Sequence, residues 1–194
     1  MSGIWSSPSG IFNFHFCMSS LIISPSFRGQ TVTDFLEWLT PSSLASLKPY
    51  TSTLSVLLNE DGGIIDDTIV TKHASDAFYV VTNAGRRERD LSWFKEKLDE
   101  WNATDKGKQG PVELEVLENW GLLALQGKSL RYFTKAPSFI LPLGPKAASY
   151  LQGLTSFDLR QLTFGSSAFV PIEGFNLHVA RGGYTGEDGF EVNL

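Results

Sequence analysis

Arg181-Gly182-Gly183-Tyr184-Thr185-Gly186-Glu187-Asp188-Gly189-Phe190-Glu191 is the stretch on which the reading of this chain turns. Gly182, Gly183, Gly186 and Gly189 make it a poor helix and allow close backbone approach and positive φ. The segment is also too polar for a core. Between the glycines stand an aromatic, a hydroxyl and two acids, and a third acid, Glu191, follows them. That combination suits a loop wrapped around a flat polar heterocycle, and a Gly-rich hairpin turn has the same composition. Phe175 to Ala180 reads as a strand leading into the loop, and Phe190 to Leu194 as the start of a return strand.

A second glycine turn lies upstream at Asn59-Glu60-Asp61-Gly62-Gly63-Ile64-Ile65-Asp66-Asp67, and it feeds a strand that carries acids. A third element follows at Phe78-Tyr79-Val80-Val81-Thr82-Asn83-Ala84-Gly85. In this order and spacing, the three segments resemble the aminomethyltransferases, the T-proteins of the glycine cleavage system. The resemblance covers residues 29 to 194. It implies an α+β fold: part of a folate-binding domain of the T-protein type, with mixed antiparallel sheets and packed helices.

The same resemblance implies a reaction. A one-carbon unit passes from an aminomethyl group on the lipoyl arm of H-protein to tetrahydrofolate, a co-substrate, and ammonia is released. No metal is required. Such chemistry needs a carboxylate near the attacking folate nitrogen, to take a proton or to stabilise a developing cation. Asp66 and Asp67 are adjacent on a strand, so only one of them faces a ligand. By motif match the catalytic position falls on Asp67. Alternation predicts that Asp67 shares a face with Ile65 and Ile69, an apolar setting that raises a carboxyl pKa. Read without the family, both acids are ordinary solvated strand-end residues.

Tyr79, Val81 and Asn83 alternate and therefore share one face, which the resemblance sets against folate. Glu191 matches a pterin-binding glutamate, able to accept two hydrogen bonds from a pterin amino group and ring N–H. Tyr184 matches a residue lining the same pocket. Glu187 and Asp188 read as turn-shaping acids, and Arg181 as a partner either for one of them or for the folate tail.

Composition narrows the alternatives. The formal charge of -5 and the absence of a basic stripe argue against nucleic acid as a partner. Cys17 is the one cysteine, and His15, His73 and His178 are dispersed, so no metal-ligand spacing is visible. No apolar run has membrane-spanning length. Folate-binding iron–sulfur cluster assembly factors carry a cysteine in the corresponding glycine loop, and this chain has none there. Folate domains of sarcosine-type oxidases come with a flavin-binding glycine motif, and none is present. A further alternative is an inactive truncated product.

Residues 1–28 match nothing in the family pattern and are expected to stand outside the fold. Residues 29–194 are expected to form an incomplete domain, without the family's N-terminal stretch and C-terminal barrel. An unmatched insertion at 128–143 reads as a translated intron or a surface loop. Mitochondrial matrix localisation is implied by the resemblance. Along the chain, helices are expected at 33–39, 86–103, 147–152 and 157–162. Strands are expected at 52–58, 64–71, 77–82, 112–117 and 122–126, with a polar connection at 104–109. Leu91, Phe94, Leu98 and Trp101 recur at helical spacing, which assigns the acids and bases of that helix to the solvent face.

Overall fold

The computed structural model describes residues 4–6, 13–15, 25–117, 121–125, 130–131, 140–141, 147–183 and 188–193. The elements in chain order are β1 (Ile4–Ser6), β2 (Asn13–His15), β3 (Pro25–Arg28), α1 (Val32–Leu39), β4 (Thr51–Leu58), β5 (Ile64–Ala74), β6 (Ala77–Thr82), α2 (Arg87–Ala103), α3 (Asp105–Gln109), β7 (Glu113–Val116), β8 (Leu122–Leu125), β9 (Leu130–Arg131), β10 (Ile140–Leu141), α4 (Ala147–Gln152), β11 (Ser167–Ile172), β12 (Phe175–Arg181) and β13 (Phe190–Asn193). The chain divides into two compact units: residues from Leu21 to Trp120 form the first, and residues from Gly121 onward, together with β1 and β2, the second. Helices and wholly antiparallel strand pairings confirm the α+β class.

The first unit is a five-stranded sheet in the order β4-β5-β6-β3-β7, with α1 and α2 on one face. Val70 pairs with Val80, and Phe27 with Phe78, so alternate residues of neighbouring strands present one apolar surface. Phe35, Leu36, Phe94 and Trp101 from the helices close over it. The Phe27 and Phe94 rings meet edge-on at 5.2 Å, a favoured aromatic geometry.

The hairpin between β4 and β5 is built by Asn59. Its side-chain oxygen accepts from the backbone N–H of Asp61 (3.1 Å) and Gly63 (2.6 Å), and its own N–H donates to the Gly63 carbonyl (2.8 Å). Gly62 at φ +78 completes the reversal, a conformation that side chains with a Cβ avoid. Just beyond the turn, Leu58 pairs with Ile64 and Leu57 with Asp66, leaving Ile65 as an extra, bulged residue.

Several expectations need correction. Pro25–Arg28, assigned above to the unmatched segment, is an inner strand paired with both β6 and β7. Its shortness and its leading proline hid it. The polar connection at 104–109 contains the short helix α3, capped by the Thr104 side chain, which accepts from the Gly107 N–H. The helix expected at 157–162 is a single 3-10 turn at Leu159–Gln161.

The second unit holds a four-stranded sheet in the order β11-β12-β13-β8. Leu125, Val170, Val179, Phe190 and Val192 form its core with Leu151 of α4. The sequence reading missed β11 because Pro171 interrupts it. The strand lies at the sheet edge, where a missing N–H is tolerated. Glu173 (φ 48) and Gly174 (φ 87) make the tight turn between β11 and β12, the two-residue hairpin geometry that matches strand twist. The insertion expected at 128–143 lies mostly outside the described residues; within it, β9 and β10 pair with each other.

Candidate functional site

The open end of the β5–β6 hairpin in the first unit gathers acids. Thr68 pairs with Thr82, which brings Asn83 to the level of Asp67 just past the last ladder pair. Asp66 is buried on the helix-covered face, and Asp67 is exposed. One amide holds both: Asn83 Nδ2 donates to Asp66 Oδ1 at 3.0 Å and to Asp67 Oδ1 at 2.7 Å. The Asn83 backbone N–H donates to Asp66 Oδ2 at 3.0 Å. Hydrogen bonds to a carboxylate are stronger than neutral ones, so this clamp fixes both acids.

The face assignment of Asp67 is half right. Ile69 does flank it, in register with Leu54 and Val81. Ile65 does not: the bulge sends it into the core at 4 % exposure. A strict period of two fails wherever a strand carries an extra residue.

Tyr79 and Val81 share the face opposite the helices, as alternation requires. Tyr79 is buried, and its ring stacks on the His73 imidazole at 5.8 Å, with 4° between the planes. Val81 is half-buried beside Ile69. Burial and the nearby Arg28 charge lower the His73 pKa, favouring the neutral ring in that stack.

Asp90 was missed by the sequence reading. It lies in the first turns of α2, fully buried, although helical periodicity had put it in solvent. The buried stripe of α2 is Asp90, Phe94, Lys97 and Trp101: it keeps Phe94 and Trp101 of the apolar repeat but takes Asp90 and Lys97 in place of Leu91 and Leu98. Burial first, and then the neighbouring Asp66, push the Asp90 carboxyl up to about 7; Thr82 and Arg86 oppose the shift. Lys97, the other buried charge of the stripe, is paired with Glu60 at 3.0 Å and Glu100 at 2.9 Å, and lies over the Trp93 ring.

In the second unit the glycine loop is closed at its base. Gly182 N–H donates to the Gly189 carbonyl at 3.1 Å. Arg181 grips Asp188 through Nε and Nη2, each at 2.8 Å, and Nη1 donates to the Leu162 carbonyl. Its guanidinium lies over the Phe190 ring. Of the two roles open to Arg181, pairing with a loop acid is the one seen. The same pair holds the Asp188 carboxyl below its ordinary range. Tyr184 lies outside the described residues. Glu191 is half-buried on β13, between Ala180 and Ala124 across the ladders, and burial raises its pKa. Among the described residues, no group of three or more His, Cys, Asp or Glu is disposed to hold a metal ion. No described helix is long and apolar enough to cross a membrane.

The fold defines an aminomethyltransferase-type α+β domain. Its architecture matches the crystal structure of glycine cleavage system aminomethyltransferase T from Bartonella henselae, with a TM-score of 0.69 over 100% of this chain and 50% of that one, at 24% identity. Heterotetrameric sarcosine oxidase from Corynebacterium sp. U-96 shares the fold more distantly, at a TM-score of 0.53 and 14% identity, over 94% of this chain and 75% of that one. Residues 18–194 match the GCVT N-terminal domain, and the chain belongs to that family.

Relatives extend the likeness. The probable mitochondrial aminomethyltransferase of Schizosaccharomyces pombe is 42% identical over 168 residues, covering 86% of this chain and 37% of that protein. The mitochondrial aminomethyltransferase of Mesembryanthemum crystallinum is 42% identical over 169 residues, covering 87% and 36%. That of Saccharomyces cerevisiae is 38% identical over 177 residues, covering 90% and 40%. The chain thus spans well under half the length of these relatives.

Proposed function

We propose that this chain serves the aminomethyltransferase reaction of glycine cleavage. In this reading, the aminomethyl group on the lipoyl arm of H-protein gives its one-carbon unit to tetrahydrofolate. The carbon–sulfur bond to the lipoyl arm and the carbon–nitrogen bond to the amine both break. The carbon ends on two folate nitrogens, the amine leaves as ammonia, and the lipoyl arm leaves as a dithiol. The observation that carries the reading is the exposed Asp67 carboxylate held by Asn83 at the end of the acid-bearing hairpin, within a chain of this family.

Asp67 is the catalytic carboxylate in this reading. It accepts a proton from the attacking nitrogen or stabilises the cation that develops at the transferred carbon. Asn83 spends its amide donors on Asp66 and Asp67, so its contribution is to orient the carboxylate. Tyr79 and Val81 form part of the folate wall. Glu191 and Tyr184 recognise the pterin; a half-buried carboxylate flanked by alanines leaves room for a ring edge. The mitochondrial names of the relatives support a matrix location for this chain as well.

The test is ammonia release on mixing the chain with tetrahydrofolate and aminomethyl-loaded H-protein. Turnover that disappears in Asp67→Asn supports the reading. Turnover unchanged by that substitution refutes the role of Asp67. Failure to bind either substrate refutes the proposed activity for this chain.

A further inference from the structure

We propose that Asp90 is a positioning residue for this site: it shares one proton with Asp66, and the resulting singly charged pair holds Asn83, and through it Asp67, in place. The inference rests on reading Asp67 as the functional carboxylate.

Four observations carry it. Asp90 of α2 is 0 % exposed, and neither of its carboxyl oxygens has a hydrogen-bond partner. The Thr82 hydroxyl on the same covered face is also buried and without a partner. Asp66 and Thr82 are the side chains that act on Asp90 from β5 and β6, and Arg86, itself exposed, acts from the turn before α2. Asp66 already spends both oxygens on Asn83.

Two ionised carboxylates have no proton between them, so side by side in a buried place they only repel. A single proton converts the contact into an acid-to-carboxylate hydrogen bond, a strong kind. It also removes the need to bury two charges. Burial and the neighbouring Asp66 act in the same direction and retain the proton of Asp90 up to about neutral pH. When the proton leaves to solvent, Asp66 meets an adjacent anion. Asp66 is also the acid that anchors Asn83 through two bonds, and the Asn83 amide is what reaches Asp67. The loss is therefore relayed from the helix-covered face to the exposed one without any contact between Asp90 and a ligand.

The test is an NMR titration of the full chain from about pH 5.5 to about pH 8.5. It follows the Asn83 side-chain amide and the Asp66 carboxyl carbon, and tetrahydrofolate affinity is measured over the same range. In the unaltered chain both resonances are expected to move together, with a midpoint within about one unit of neutrality, and the dissociation constant to rise several-fold across it. In Asp90→Asn, a close isostere that cannot ionise, the shared inflection is expected to vanish. An Asn83 amide that stays flat in the unaltered chain overturns the proposal, and that measurement needs no variant. An inflection that persists in Asp90→Asn overturns it equally. Affinity that stays flat while the resonances move reduces Asp90 to a structural acid and overturns the positioning role. If the unaltered chain binds no tetrahydrofolate at all, the functional reading fails, while the amide titration still decides whether the proton is shared.

Discussion

The hairpin end in the first unit and the glycine-loop base in the second both concentrate acids, and they satisfy them in opposite ways. At the loop base, Arg181 takes Asp188 in a two-pronged ion pair, donates to a carbonyl and lies on Phe190. Charge is balanced and the geometry closes a turn. At the hairpin end, Asp66 and Asp67 share one neutral amide, and a third acid, Asp90, is buried behind them. Charge there is gathered, and no ion pair among the described residues meets it. Uncompensated acids cost stability, so such a cluster points to chemistry, whereas a balanced pair points to architecture.

That contrast can be broken by experiment. The largest effect is expected from Asp67→Asn, which should lower one-carbon transfer by about 10²–10⁴-fold, the usual worth of a positioned acid or base. Tetrahydrofolate affinity should fall far less, by several-fold; steady-state ammonia release and a binding titration together check this. Asn83→Ala should come next. It leaves the buried Asp66 short of a side-chain donor and should cost about 1–3 kcal/mol in urea unfolding, with a loss of transfer rate on top. If the rate falls while stability does not, Asn83 orients without bracing.

Stability against pH sharpens the comparison. Asp90 has its folded pKa raised to about 7, above the ordinary aspartate value. The folded state therefore holds a proton that the unfolded chain has released, and stability falls as pH rises between about 4 and about 7. Asp90→Asn should flatten that slope and make the chain more stable than its parent at pH 8, by about 1–3 kcal/mol. A steeper slope in the variant would contradict the account. The Asp188 carboxyl is shifted the other way: held low, it contributes stability above its unfolded pKa that is lost as pH falls through the folded value. The smallest effect should be at the loop. A double-mutant cycle with Arg181→Ala and Asp188→Ala should return a coupling of about 0.2–1 kcal/mol, since both partners stay partly exposed. A coupling well above that range would mean the loop base contributes more than closure.

The hairpins and their motifs were legible because they depend on neighbours in sequence. Asn59 caps its own turn within four residues, and Gly62 supplies the one conformation that other residues resist. Asp67, Tyr79, Val81, Asn83 and Glu191 were singled out as candidates through the family resemblance that those motifs carry. The faces they occupy were less legible. An extra residue at Ile65 moved that side chain into the core, and no local signal announced it. Pro25–Arg28 escaped because four residues carry too little periodicity to be read as a strand. Asp90 escaped for a sharper reason. The apolar repeat of Leu91, Phe94, Leu98 and Trp101 gives one orientation for α2, and the sheet beneath chose another, rotated toward Asp90 and Lys97.

By itself, then, the sequence determined the class, the turns and the acid-bearing hairpin, since turn chemistry and alternation act over a few residues. The tertiary structure alone decided that Asn83 spans two acids, that Asp90 stands buried behind them, and that Arg181 belongs to Asp188. Those partners are set by strand register and by the rotation of a helix on its sheet. Both are fixed by how the whole apolar surface fills space, a quantity that no single segment carries.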